Sequence, residues 1–129
     1  MSKNNNLSEL SDSILSSVKK LIGISEDDES FDLDIMLNIN AAASTLFQLG
    51  VLKKPFTVTS KEDIYEDLAP CATEDVINQI KMYFFYKTRI GFDSATMSGT
   101  VMEALKEMIK EAEWRLMVSF NPEDTFDRK

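Results

Sequence analysis

The segment "INQIKMYFFYKTRIGFD", Ile77 to Asp93, constrains the fold more than any other. At roughly 100° per residue, the apolar side chains at its centre, "MYFFY", point in every direction around a helix axis. A helix that is apolar all round must be packed by neighbours on more than one side. Thr73 is placed to cap its N-terminus, Glu74 and Asp75 suit the positive end of its dipole, and Gly91 is expected to end it. The chain therefore has to supply other helices to enclose this one.

Periodicity elsewhere supplies them. From about Ser8 to Ile22, Leu7, Leu10, Ile14, Val18, Leu21 and Ile22 form a single stripe opposite serines, lysines and acids, as expected of a peripheral helix. From about Asp32 to Leu49, apolar residues surround the axis until Gly50 caps the helix, so this element should be buried on several sides. "VLKKPFTVTS", Val51 to Ser60, reads as a β-branched loop that could add a short strand. A short helix from Ser60 to Leu68 follows, opened by a Thr59/Glu62 capping box and closed before Pro70. The last helix starts near Ser98, with Met97 and Met102 spaced as a hydrophobic staple, and runs to about Phe120 before Asn121-Pro122, a rod of roughly 35 Å. The expectation is an all-α bundle of about five helices, two of them long, in one domain over residues 1–129. Residues 1–30 make an N-terminal helix and acidic linker, 31–120 the helical core, and 121–129 a flexible tail.

Composition narrows the chemistry. With 129 residues, 43% of them hydrophobic, the chain can bury a core without disulfides or metal. Its 22 acidic and 14 basic residues, for a net charge of -8, argue against a surface that wraps the DNA backbone. There is no histidine, which removes triads, HExxH helices and Cys/His zinc sites. No GxGxxG, Walker or GxSxG motif occurs, so carboxylates alone remain for catalysis. The run "SEDDES", Ser25 to Ser30, lacks the spacing and central glycine of a calcium loop and reads as a solvated linker rather than a weak cation site. Cys71, beside Pro70 and without a basic neighbour, reads as an incidental thiol. No enzyme activity, metal or cofactor is expected. The absence of an apolar N-terminal run points to a reducing cytoplasm, with no membrane span.

One residue breaks the pattern of the last helix. Val101, Leu105, Met108, Ile109, Ala112 and Leu116 form the expected inward stripe, whereas Trp114 points nearly opposite, between Glu103 and Glu107. Val118 lies one turn further on the same side and Met117 flanks it. Either the first helix or the tail covers this patch within one chain, or a neighbouring subunit does, with Glu113 and Arg115 at the rim; tryptophan is enriched at such contacts. Met82, Met102 and Met108 are expected to be gap-filling core. The tail "NPEDTFDRK" carries one large apolar residue, Phe126, suited to a partner.

Three stretches carry a resemblance: "LDIMLNINAAASTLFQLGV" (Leu33–Val51), "INQIKMYFFYKTRIGFD" (Ile77–Asp93) and "VMEALKEMIKEAEWRLMV" (Val101–Val118). In order and spacing they resemble the head-tail connector, or adaptor, proteins of long-tailed bacteriophages. The most specific elements are Arg89, Phe92 and Asp93 at a helix end, followed by Glu113-Trp114-Arg115. The resemblance covers Leu33 to Phe120 and leaves the first helix and the acidic linker outside. It implies a virion protein, present in the host cytoplasm during assembly. Such a subunit forms a cyclic homo-oligomer, typically a dodecamer, beneath the portal protein, with further neck and tail proteins below and DNA passing through without sequence-specific binding. Two other classes remain open from the residues alone: a cytoplasmic helical interaction module such as a small regulator, and an enzyme using carboxylates only.

Overall fold

The computed structural model describes residues 10–70 and 72–120, without the side chain of Phe120. Leu7, Ser8, Cys71, Phe126 and the rest of the tail lie outside the described residues. Five named helices run through them: α1 Ile14–Ile22, α2 Asp32–Gln48, α3 Tyr65–Leu68, α4 Glu74–Asp93 and α5 Gly99–Phe120. Among the described residues there is no strand, only an isolated antiparallel bridge between Ser13 and Ile64. The fold is a small all-α bundle.

The central helix is the one expected. α4 packs against α1, α2 and α5, and it buries Ile77, Ile80, Tyr83, Phe84 and Thr88. Thr73 caps it, its hydroxyl accepting from the Val76 amide at 3.3 Å. Gly91 does not end it: α4 continues to Asp93, and the Asn38 side chain of α2 occupies the space where a Cβ at Gly91 would stand. This glycine permits a close approach of two helices, and helical turns on both sides of it keep their hydrogen bonds. Gly50 does terminate α2. It has φ of 84°, its amide donates to Phe47 O at 3.1 Å, and Val51 N donates to Leu46 O at 2.9 Å, a Schellman closure.

The first helix is shorter than its stripe suggested. Helical backbone at Leu10 and Ser11 is interrupted at Asp12-Ser13, and α1 restarts at Ile14 with the Ser13 hydroxyl accepting from the Ser16 amide at 3.1 Å. The cause is tertiary: Ile14 N donates to Asp63 O at 2.9 Å and Tyr65 N to Asp12 O at 3.3 Å, so the backbone at the break pairs with the segment before α3. Lys81 of α4 adds an ion pair to Asp12 at 2.8 Å.

The Thr59/Glu62 capping box is not formed. Instead the amides of Thr59 and Ser60 donate to Asp63 Oδ2 at 2.7 and 3.2 Å, making a turn, and helix forms only from Tyr65 to Leu68. Nor does Val51–Ser60 form a strand. Asn40 of α2 claims its ladder groups, accepting from Val58 N at 2.7 Å and donating to Val58 O at 3.1 Å.

Two expectations about burial fail. Met82 and Met108 lie exposed at the surface instead of filling the core; Met82 lines an open groove between α4 and α1 that no described side chain fills. α2 is buried along only one side, through Ile35, Ile39, Ala42, Ala43 and Leu46, while Leu33 and Leu37 are 67% and 60% exposed. Among the described residues α2 makes its main helix contacts with α1 and α4, and these meet it on the buried side.

Candidate functional site

The candidate site is built on α5. Ser98 starts the helix, its hydroxyl accepting from Val101 N at 3.2 Å, and the short turn after α4 returns α5 along it. Leu105, Ile109 and Leu116 are buried and Ala112 is half-buried, as the stripe requires. Val101 and Met108, assigned to the same stripe, are exposed; on the helical wheel they lie together at one edge of it.

Trp114 stands on the opposite side and is 64% exposed, with Met117 beside it at 38%. Val118 is half-buried. The tryptophan is therefore left largely open; α1, one of the two elements expected to cover it within the chain, makes its main contacts with α2 and α4. The other element, the tail, lies outside the described residues.

Glu113 and Arg115 flank Trp114 in sequence but point apart in space. Glu113 is turned toward α4, where its Oε2 accepts from the Tyr83 hydroxyl at 2.8 Å. That bond and the burial of the ring push the Tyr83 pKa well above its ordinary value of 10.0, burial being the larger cause. Lys87 sits over the Tyr83 ring at 5.9 Å. Arg115 lies on the other flank, paired with Glu111 one turn back at 2.7 Å. The structure thus brings Trp114 and Met117 together as an apolar surface and ties Glu113 into the subunit's own core.

The motif at the end of α4 is anchored differently. Arg89 and Asp93 approach at 3.8 Å along the helix, both about half exposed. Phe92 meets Phe31 edge-on, centroids 5.8 Å apart, so this corner is pinned to the start of α2. Leu33 and Leu37 lie one helical turn apart just beyond that contact and form a second exposed apolar surface. Sequence reading missed it because α2 is apolar on all sides, and pattern alone does not say which side stays open.

The acidic linker is exposed, and it also has a structural role that its composition does not reveal. Lys19 is 2% exposed; its ammonium contacts Asp32 Oδ1 at 2.8 Å and donates to Glu26 O at 3.0 Å, tying the end of α1 to the start of α2 through the linker. Within the linker the Ser30 hydroxyl and amide both donate to Asp28 and hold its carboxyl below the usual range. Among the described residues no group of three acidic or cysteine side chains is arranged to hold a metal.

The described residues form an all-α bundle that leaves two apolar helix faces open, one on α2 and one on α5. A family model of phage connector proteins matches residues 14–123, and the chain belongs to that family. The match begins at the first residue of α1, so the first helix and the acidic linker fall inside the family unit and not outside it as the resemblance alone suggested. Comparison with curated proteins and with solved structures finds no match.

Proposed function

We propose that this chain is a non-enzymatic structural subunit of the phage neck, assembling as a closed ring, typically of twelve copies, beneath the portal protein. Further neck and tail proteins stack below, and DNA passes through without sequence-specific binding. Membership of the connector family supports the setting. The observation that carries the assembly reading is Trp114, a large aromatic side chain 64% exposed on α5, adjoining Met117. A tryptophan in that position gains from burial against a neighbour, because its area is large and its rotamers few. No helix among the described residues is long and apolar enough to cross a membrane.

In this reading Trp114, Met117 and Val118 insert against the next subunit and Arg115 lies at the rim of that contact. Glu113 orients the helix from within, through Tyr83. Arg89, Phe92 and Asp93 shape the corner between α4 and α5, and the tail with Phe126 engages the portal or a neck protein on assembly. Each copy contributes a charge of -8, so a ring of them is strongly acidic as a whole, which suits a passage through which the DNA backbone slides without sticking.

Native mass spectrometry of the chain, alone and co-expressed with its portal protein, tests the proposal. A closed cyclic oligomer in either sample is the expected result. A species that stays monomeric or dimeric and never joins the portal would refute it and favour a small interaction module.

A further inference from the structure

Beside the end of α5 the molecule has a mainly apolar hollow of about 430 Å³. Val51, Leu52, Leu68 and Ala69, all buried, form its floor, and the exposed Lys53 and Lys54 stand at its mouth. Ser119, in the last turn of α5, is part of its wall. The chain therefore leaves its last described residue at the rim of this hollow. The following sequence is "NPEDTFDRK", with one large apolar side chain, Phe126, between carboxylates at Glu123, Asp124 and Asp127.

We propose that Phe126 of the chain's own C-terminal tail seats in this hollow, with the flanking carboxylates facing Lys53 and Lys54. Pro122 has no amide to donate to a helix ladder, so in this proposal the chain turns off the axis of α5. The six residues that follow Phe120, through Phe126, span up to roughly 20 Å when extended, enough to turn and come back to a site whose wall the helix itself supplies. The ring finds an apolar floor, and the acidic flanks find the two ammonium groups at the mouth. Tethering at the rim gives the tail an effective concentration on the order of millimolar, which a segment from another molecule would have to match in bulk solution. The inference holds whether or not the subunit forms a ring. If the tail also serves a partner during assembly, that partner must first displace it from this seat.

Amide hydrogen exchange on the full-length chain tests the proposal. The Phe126→Ala chain should exchange roughly tenfold faster at Leu52–Lys54 and Ala72–Val76, the loss expected when a buried ring is removed from a local contact, with the rest of α4 unchanged. Phe126→Leu should keep most of the protection, and Lys53→Glu with Lys54→Glu should reduce it in low salt more than in high salt. The protection should not change on about hundredfold dilution. Identical exchange in the native and Phe126→Ala chains would overturn the proposal. Protection that fades on dilution would assign the seat to another copy's tail, and faster exchange throughout all helices would make Phe126 part of the core; either result would also overturn it.

Discussion

Gly91 shows how much one missing methyl group can decide. A Cβ there would stand 2.9 Å from the Asn38 Cγ, and Asn38 is itself held by a 2.9 Å bond to Asp34 O. Alanine favours a helix over glycine by about 1 kcal/mol, while overpacking costs about 1–3 kcal/mol, so Gly91→Ala should be net destabilising by about 1 kcal/mol in urea unfolding. Adding Asn38→Ala should recover the loss; a stabilised single variant would show that the helices can move apart freely. Tyr83 offers a pH test. Its folded pKa is raised above 10.0, so its contribution to stability is fully present below pH 10 and falls as the unfolded chain ionises above it. Melting temperature followed from pH 8 upward should therefore decline above about pH 10, and Tyr83→Phe should flatten that decline. For Trp114→Ala the helical circular dichroism should be unchanged while assembly weakens by about 2 kcal/mol or more per contact, measured by sedimentation. Unaltered rings would remove Trp114 from the interface.

At the scale of elements, the least expected link is the one between α1 and α2. Lys19 reads from sequence as one more lysine on the wet side of a peripheral helix, yet it is buried against Asp32 and the Glu26 carbonyl. Gly23, with φ of 87°, closes α1 and turns the linker back so that Glu26 comes within reach. Lys19→Ala should cost about 3 kcal/mol, the lower end for a broken buried pair, because Asp32 keeps some access to water. Chemical denaturation would measure it, and a loss below about 0.5 kcal/mol would mean that the pair is no stronger than a surface one. The helix starts were legible because caps are local: Thr73 and Ser98 make their bonds within the next three residues. The Thr59/Glu62 box failed because each of its amides found another acceptor close by: the Thr59 amide donates to Asp63 Oδ2 and the Glu62 amide to Ser60 Oγ.

For the whole molecule, the open faces on α2 and α5 lie at different levels along α4. Leu33 and Leu37 sit near the Phe92 corner, whereas Trp114 lies beyond Glu113, which meets Tyr83 near the middle of α4. A ring closed by head-to-tail contacts uses two unlike surfaces on each subunit. A Trp114→Ala subunit would keep one of them, so it can join a growing arc from one side only. Mixing it with the native chain in equal amounts should truncate arcs and lower the yield of rings far below half, as seen by native mass spectrometry. Rings formed in proportion to the native chain alone would show that the contact is not head-to-tail.

The sequence by itself determined the helical class, the central place of α4, the glycine stop of α2 and the outward position of Trp114. All four rest on periodicity and short-range hydrogen bonding, which act within a few residues along the chain. Tertiary structure alone decided the break at Asp12-Ser13, the burial of Lys19, the close approach at Gly91, the surface position of Met82 and Met108, and the open side of α2. Each depends on a partner distant in sequence, such as Asp63, Asp32 or Asn38, and a helical wheel records the direction in which a side chain points but not whether another element stands there to meet it.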